Sequence, residues 1–373
     1  MATADVIVIG AGLHGCSAAL HLSRRGVKAL VIEKDHVGQH ASGVNAGGVR
    51  RLGRHFAEVP LSVASMELWH DIRDLVGDDC GFESPGQVKV AESDAELERL
   101  RSRVEDLNAL GYTHEELIGR NALRDLLPAV SEHCVGGIVS HGDGAALPFR
   151  TVTAFRRAAE RQGARFIEGG AVTRIERHGM VWRVTAGTEI HGAPVVVNAA
   201  GAWADRIAAM LGDTVPLEVI APMLMITTPM PTFVKPVVGA TSRPLSFKQF
   251  RNGTVLIGGG HRGTADRDRN STALDFGKLA LNARTASDIF PVMADAHFLR
   301  AWAGIEARMP DDLPVIGPSA HAPDAFHAFG FSAHGFQLGP IVGAILTDLI
   351  TTGTTALPID AFAVDRFQVA LRR

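Results

Sequence analysis

The chain has 373 residues, 46% apolar and 21% charged, with 40 glycines and a formal net charge of -3, ample material for more than one packed core. The balanced charge and the lack of a Lys/Arg run exclude a nucleic-acid partner, and no run of roughly 18 apolar residues is present to span a membrane. Cys16, Cys80 and Cys134 stand far apart without a CxxC pair. Neither a disulfide framework nor a metal cluster is expected, and a reducing cytoplasm fits.

The first element is Val6 to Ile9, a β-branched run that passes straight into glycines, the pattern of a buried parallel strand rather than a signal peptide. After it comes Gly10-Ala-Gly12-Leu-His14-Gly15, the GxGxxG spacing, and then helical periodicity up to Gly26. The three glycines have separate tasks: a tight turn, close backbone approach to a pyrophosphate, and close packing of helix on strand. The helix start adds unpaired N–H groups and positive potential for phosphate oxygens. A second strand, Val27 to Ile32, ends in Glu33 beside Lys34. An acid at that spacing accepts both ribose hydroxyls and disfavours a 2′-phosphate.

Residues 40 to 51, HASGVNAGGVRR, form a glycine-rich loop with small polar side chains at Ser42 and Asn45, then Ala46, Gly47, Gly48 and Arg50. Such a loop exposes N–H groups where bulk would block a flat ring. Further on, Ser93 and Glu96 form a capping box for a helix running to Gly111, and Phe149 to Gln162 reads as another helix. Ala164–Glu168, Val172–Glu176, Val181–Val184 and Val195–Asn198 read as strands, and alternating strands resume from Ala221. The chain ends with GFSAHGFQLGP at 330–340, a polar turn ahead of an apolar helix beginning near Leu338.

The loop at 40–51 resembles that of the D-amino-acid oxidase superfamily, especially its glycine oxidase and sarcosine oxidase branches. VVVNAAGAWA at 195–204, WAGIEARMPDDLPVIG at 302–317 and the 330–340 turn are similar to later segments of that family, so the resemblance covers essentially the whole chain. It implies an α/β protein in which a Rossmann-like FAD-binding domain (1–80, 147–215, 305–373) is interleaved with a mixed-sheet α+β substrate domain (81–146, 216–304). It places the backbone of Val172 against adenine. It also puts Ala200, Gly201, Trp203, Gly304, His334, Gly335, Phe336 and Gln337 around the cofactor.

The activity implied is hydride removal from an amine or amino acid, giving an imine that water hydrolyses. Departures from the family shape the rest. Gly304 stands where covalent relatives carry a flavin-linking Cys, so non-covalent FAD is expected. Glu306 stands where an Arg would hold the substrate carboxylate, and neutral Gln337 replaces a Lys that does the same. Arg51 or Arg54 is the candidate replacement clamp, with Arg50 assigned to the cofactor side. Glu306 favours a basic or amine-rich substrate, and His261, at the end of VLIGGGH (255–261), is the candidate active-site His.

Leu256 and Ile257 occupy the neighbourhood of the relatives' oxygen-activating Lys, and Lys248 on the preceding strand is read as facing solvent. Weak oxidase activity, or dehydrogenase activity with another acceptor, is therefore expected. Two alternatives stay open: the flavin subunit of a hetero-oligomeric dehydrogenase whose second subunit carries electrons onward, and a non-catalytic FAD-binding protein. A nicotinamide-dependent enzyme leaves residues 40–51 and the final turn without a role.

Overall fold

The computed structural model describes residues 3–367; the outer ends of the expected first and last cofactor-domain pieces, 1–2 and 368–373, lie outside them. A six-stranded sheet runs in the order Val315–Pro318, Ala325–Phe329, Val195–Asn198, Val6–Ile9, Ala29–Ile32, Arg165–Ile167. All neighbours are parallel except the first pair. Val6 to Ile9 is buried on both faces, as a central parallel strand must be. Val6, Val8 and Val31 pack under helices Leu13–Arg24, Pro148–Arg161 and Gly339–Thr352. Ile7, Ile9 and Leu30 meet Ile175, Trp182 and Val184 of an antiparallel three-stranded sheet on the other side.

The helices on the first face approach very closely. A Cβ on Gly343 would fall 2.3 Å from Ser17 Oγ, and one on Gly339 would fall 2.4 Å from Leu13 Cδ2. Small residues here bring the last helix onto the first, the element that starts at the GxGxxG turn.

A second, larger sheet takes its strands from 87–140 and 218–308. Within it Gln87–Ala91 alternates: Val88 and Val90 enter a core with Phe247, Ile257 and Phe290, while Gln87 and Lys89 point to the opposite face. That face and the carboxyl ends of the six-stranded sheet enclose the main cavity.

Element boundaries differ in small ways from the sequence reading. The second strand begins at Ala29 instead of Val27, because Gly26 leaves the helix at φ +78° and Val27 is still turning, its N–H donating to Leu22. At Ser93 the hydroxyl accepts from Glu96 N–H as a cap should, but the Glu96 carboxylate reaches Glu92 N–H, one residue earlier than in the standard box.

Candidate active site

A cavity of about 920 Å³ runs from Gly170 and Val172, past the glycine turn and the 40–48 loop, to Glu306 and Phe336. At one end the fingerprint builds its cradle. Gly10 has φ +103°, and a Cβ there would lie 2.4 Å from Ala199 O. A Cβ on Gly12 would lie 2.9 Å from Ser42 Oγ, and one on Gly15 only 1.9 Å from Gly10 O. Gly15 thus does the packing and does not itself line the cavity, whereas Gly10 and Gly12 do. Ser42 Oγ accepts from Leu13 N–H at 3.0 Å, which ties the loop to the helix start.

Glu33 is held by backbone donors, Oε2 by Ala11 N–H at 2.7 Å and Oε1 by Asp35 N–H at 3.0 Å. Its carboxylate lies in the cavity wall close to the glycine turn, with Lys34 beside it, stacked over Trp203 at 3.8 Å and paired with Asp35. Ala200, Gly201 and Trp203 complete this end. Asn45 shapes its loop from within: its side-chain oxygen accepts from Gly47 N–H, and its amide donates to Ala41 O and Ser42 O. Ala46, Gly47, Gly48 and Gly304 line the middle. His14 stacks flat on Phe331 at 3.7 Å, and burial lowers its imidazole to about 3, so it stays neutral. Its Nε2 has no partner among the described residues.

The final turn wraps the cavity with residues 330–336. Ser332 and Ala333 adopt φ +52° and +66° without being glycine, a conformation that needs support. Ser332 N–H donates to Ala307 O, its hydroxyl accepts from Met309 N–H, and Ala333 N–H donates to Glu306 Oε1 at 2.8 Å.

Gln337 does not face this cavity. It is fully buried, and its side chain is satisfied by the protein. Oε1 accepts from Arg54 Nη2 at 3.1 Å and Ser62 Oγ at 3.2 Å, Nε2 donates to Ser62 O, and its carbonyl accepts from Ser65 Oγ and Trp69 Nε1. It is a bracket for the turn. Arg54 is likewise occupied, donating to Arg50 O, His334 O and Gln337, with Glu58 3.7 Å away. Burial would raise the Glu58 carboxyl, but His334 at 3.0 Å and Arg54 hold it below its usual range.

Arg51, expected as a candidate substrate clamp, is turned away from the cavity as well. Its Nε pairs with buried Asp143 at 3.1 Å, its N–H donates to the same carboxylate, and it is absent from the cavity wall. His261 lies elsewhere too: Gly259 and Gly260, at φ +121° and +113°, turn the chain so that the ring faces a separate 320 Å³ pocket with Arg243, Leu281 and Arg284. Lys248 is not solvent-facing. It is 8% exposed, stands over Phe250 at 4.8 Å, and burial lowers its ammonium to about 8.

The cavity wall carries charge of both signs. Glu306 is half-buried and lines the cavity. Burial pushes its carboxyl up to about 7 against the opposing influence of Ala333 N–H and Arg262. Arg50, Gln87 and Lys89 line the same cavity; the last two are residues that motif reading passed over, although the alternation of Gln87-Val-Lys89-Val was visible.

The family model for FAD dependent oxidoreductases (DAO) matches residues 5–349, and the chain belongs to that family. FAD is therefore its cofactor, the glycine cradle and Glu33 fit that cofactor's diphosphate and ribose, and the chain is an oxidoreductase. Among relatives, it is 30% identical to monomeric sarcosine oxidase of Streptomyces avermitilis, covering 99% of each chain. It is 26% identical to hydrogen cyanide synthase subunit HcnC of Pseudomonas aeruginosa, covering 98% of this chain and 97% of the relative. The crystal structure of L-proline dehydrogenase from P. horikoshii superposes with a TM-score of 0.92 at 28% identity, covering 98% of each. Among the described residues no helix is long and apolar enough to cross a membrane.

Proposed function

We propose that this oxidoreductase removes hydride from the amine-bearing carbon of an amino acid or related amine, releasing an imine to water. The observation that carries this reading is one cavity with a flavin cradle along one wall and, at its far end, a sheet face with ionisable groups. Similarity to a monomeric sarcosine oxidase and to an L-proline dehydrogenase supports the substrate class. In this reading residues 1–80, 147–215 and 305–373 belong to the cofactor domain and 81–146 and 216–304 to the substrate domain; the two main sheets follow this division except that Glu306–Arg308 pairs into the larger one, and Gly48–Val49 pairs across it with Gly144–Ala145. Bound FAD supplies the hydride acceptor. The protein positions the carbon and receives the amine proton.

None of the three cysteines lines the cavity, in accord with non-covalent FAD, and three free, buried thiols suit the cytoplasm. Purified protein is expected to be yellow, to release its flavin on denaturation, and to yield a carbonyl product from an amine substrate. A colourless protein, or one bleached only by nicotinamide nucleotides, overturns the reading.

Glu306 is the group that meets the substrate amine. As a carboxylate it attracts an ammonium and can take its proton; as a neutral acid it does neither. Its ionisation near 7 gives a sign to the pH dependence. The half-saturating substrate concentration falls as pH rises through about 7, and Glu306→Gln removes that step in steady-state assays. Stability of the substrate-free protein runs the other way. A carboxyl raised in the folded state contributes fully below its usual 4.5 and loses that contribution as pH climbs to about 7.

A second reading, the flavin subunit of a larger enzyme, is supported by the subunit name of HcnC and by exposed Phe276, Leu281, Phe298 and Leu299. Native purification that yields a stoichiometric second polypeptide favours it; activity of the isolated chain with a soluble acceptor counts against it.

A further inference from the structure

Around residues 50–54 five cations gather, and three of them have acidic partners. Arg51 pairs with Asp143, Arg54 with Glu58, and Arg103 with Glu115 through two contacts of 2.8 Å. Arg50 and Lys89 have no carboxylate within ion-pair distance among the described residues, and both line the cavity. Arg50 Nη1 donates to Leu52 O at 2.6 Å, which holds the guanidinium, and its other N–H groups have no partner among the described residues. The two groups converge on one spot: a Cβ on Gly53 would lie 3.8 Å from Arg50 Nη1 and 3.8 Å from Lys89 Nζ. The absence of a side chain there leaves that spot open.

Two half-buried cations without an ion-pair partner carry a desolvation cost that a bound anion would offset. Burial is the main influence holding both groups' ionisation down; Glu58, Asp143 and Glu115 oppose it at Arg50, whereas at Lys89 Arg50 and Arg103 add to it and Glu115 opposes. Gln87, 8% exposed on the same sheet face as Lys89, has an Oε1 with no partner among the described residues, so its amide is free to turn toward a ligand. Glu306, the acid proposed to meet the amine, responds to Ala333 N–H and Arg262 and not to this pair. The cavity has separate positive and negative poles.

We propose that Arg50, which the resemblance assigned to the cofactor side, instead joins Lys89 and Gln87 in a site for the substrate's carboxylate, which makes the substrate an amino or imino acid and not a simple amine or polyamine. The inference rests on the amine-oxidising reading above and deepens it. A carboxylate's two oxygens suit two cations presented together, each bond being charge-assisted. Lys89 acts by binding the part of the substrate that does not react.

The test uses the FAD-loaded enzyme under anaerobic conditions, with amino and imino acids each offered beside its carboxamide, which keeps the amine and lacks the acid. Flavin bleaching is expected with acids at concentrations roughly a hundredfold below those needed for amides. Lys89→Met raises the half-saturating acid concentration about tenfold to a hundredfold, erasing most of that preference, and Lys89→Arg restores it. Benzoate with benzamide as neutral control, titrated against the flavin spectrum, gives a readout independent of turnover: benzoate binds the wild type and Lys89→Arg but not Lys89→Met.

Equal use of acids and amides overturns the proposal, as does a Lys89→Met enzyme that keeps its acid preference. So does a variant whose only defect is lost flavin, since the pair would then serve the cofactor. If no amine of either kind bleaches the flavin, the amine-oxidising reading falls, and the benzoate titration still decides whether this is an anion site.

Discussion

Replacing Gln337 by Lys destabilises the protein and gives no substrate clamp. The resemblance implies the opposite, a Lys at this position serving the substrate carboxylate. In this chain the position is fully buried and its amide oxygen already accepts from Arg54 Nη2 at 3.1 Å. An ammonium at that point faces a guanidinium across a hydrogen-bond distance with no carboxylate to spare, because Glu58 is shared by Arg54 and His334. An uncompensated buried charge costs about 3–5 kcal/mol, unless the Lys sheds its proton, in which case it clamps nothing. Gln337→Met, which removes the bonds without adding charge, should cost about 1–3 kcal/mol. Denaturant unfolding of the flavin-loaded variants ranks them; a Gln337→Lys protein as stable as the wild type contradicts this account of the turn.

Gly15→Ala is the second large effect. Its new Cβ would sit 1.9 Å from Gly10 O and 3.1 Å from Gly10 C, far inside any real contact, and both partners are backbone. Relief requires the first helix to move off the first strand. The last helix, seated on Leu13 and Ser17 through Gly339 and Gly343, resists that movement. Overpacking of this kind costs about 1–3 kcal/mol, sometimes more, and it distorts the turn that approaches the diphosphate. Purified Gly15→Ala is expected to carry little flavin. As a control, Gly26→Ala adds a Cβ with nothing within 4 Å, though at φ +78°; it should lose some stability and keep its flavin.

The contrast between Gly15 and Gln337 shows what the sequence makes legible. The strand, glycine turn, helix, strand and Glu33 lie within one short stretch, and each residue's task follows from local geometry, so the cofactor end is readable along the chain. Gln337 is different. Its role depends on Arg54, 283 residues away, and a missing charge looked like a change in substrate chemistry when it is a change in who brackets the turn. Arg51 misled for the same reason, its partner Asp143 being 92 residues distant.

His261 and Lys248 were misplaced by local conformation. Two positive-φ glycines turn the His away, and the alternation Ser246-Phe-Lys248 puts the Lys on the cavity-side face of the sheet, where Phe250 covers it. Lys89 was available from the same kind of alternation in Gln87-Val-Lys89-Val. Without the fold, nothing distinguished that polar face from one open to solvent.

Anaerobic mixing of the FAD-loaded enzyme with a panel of amino acids, imino acids, N-methyl amino acids and polyamines, followed at the flavin's visible band, tests the central claim most directly. The account predicts loss of that band with at least one amino or imino acid and recovery of the matching carbonyl product after hydrolysis. A band that persists with every amine, or that bleaches only with 2-hydroxy acids or nicotinamide nucleotides, contradicts it.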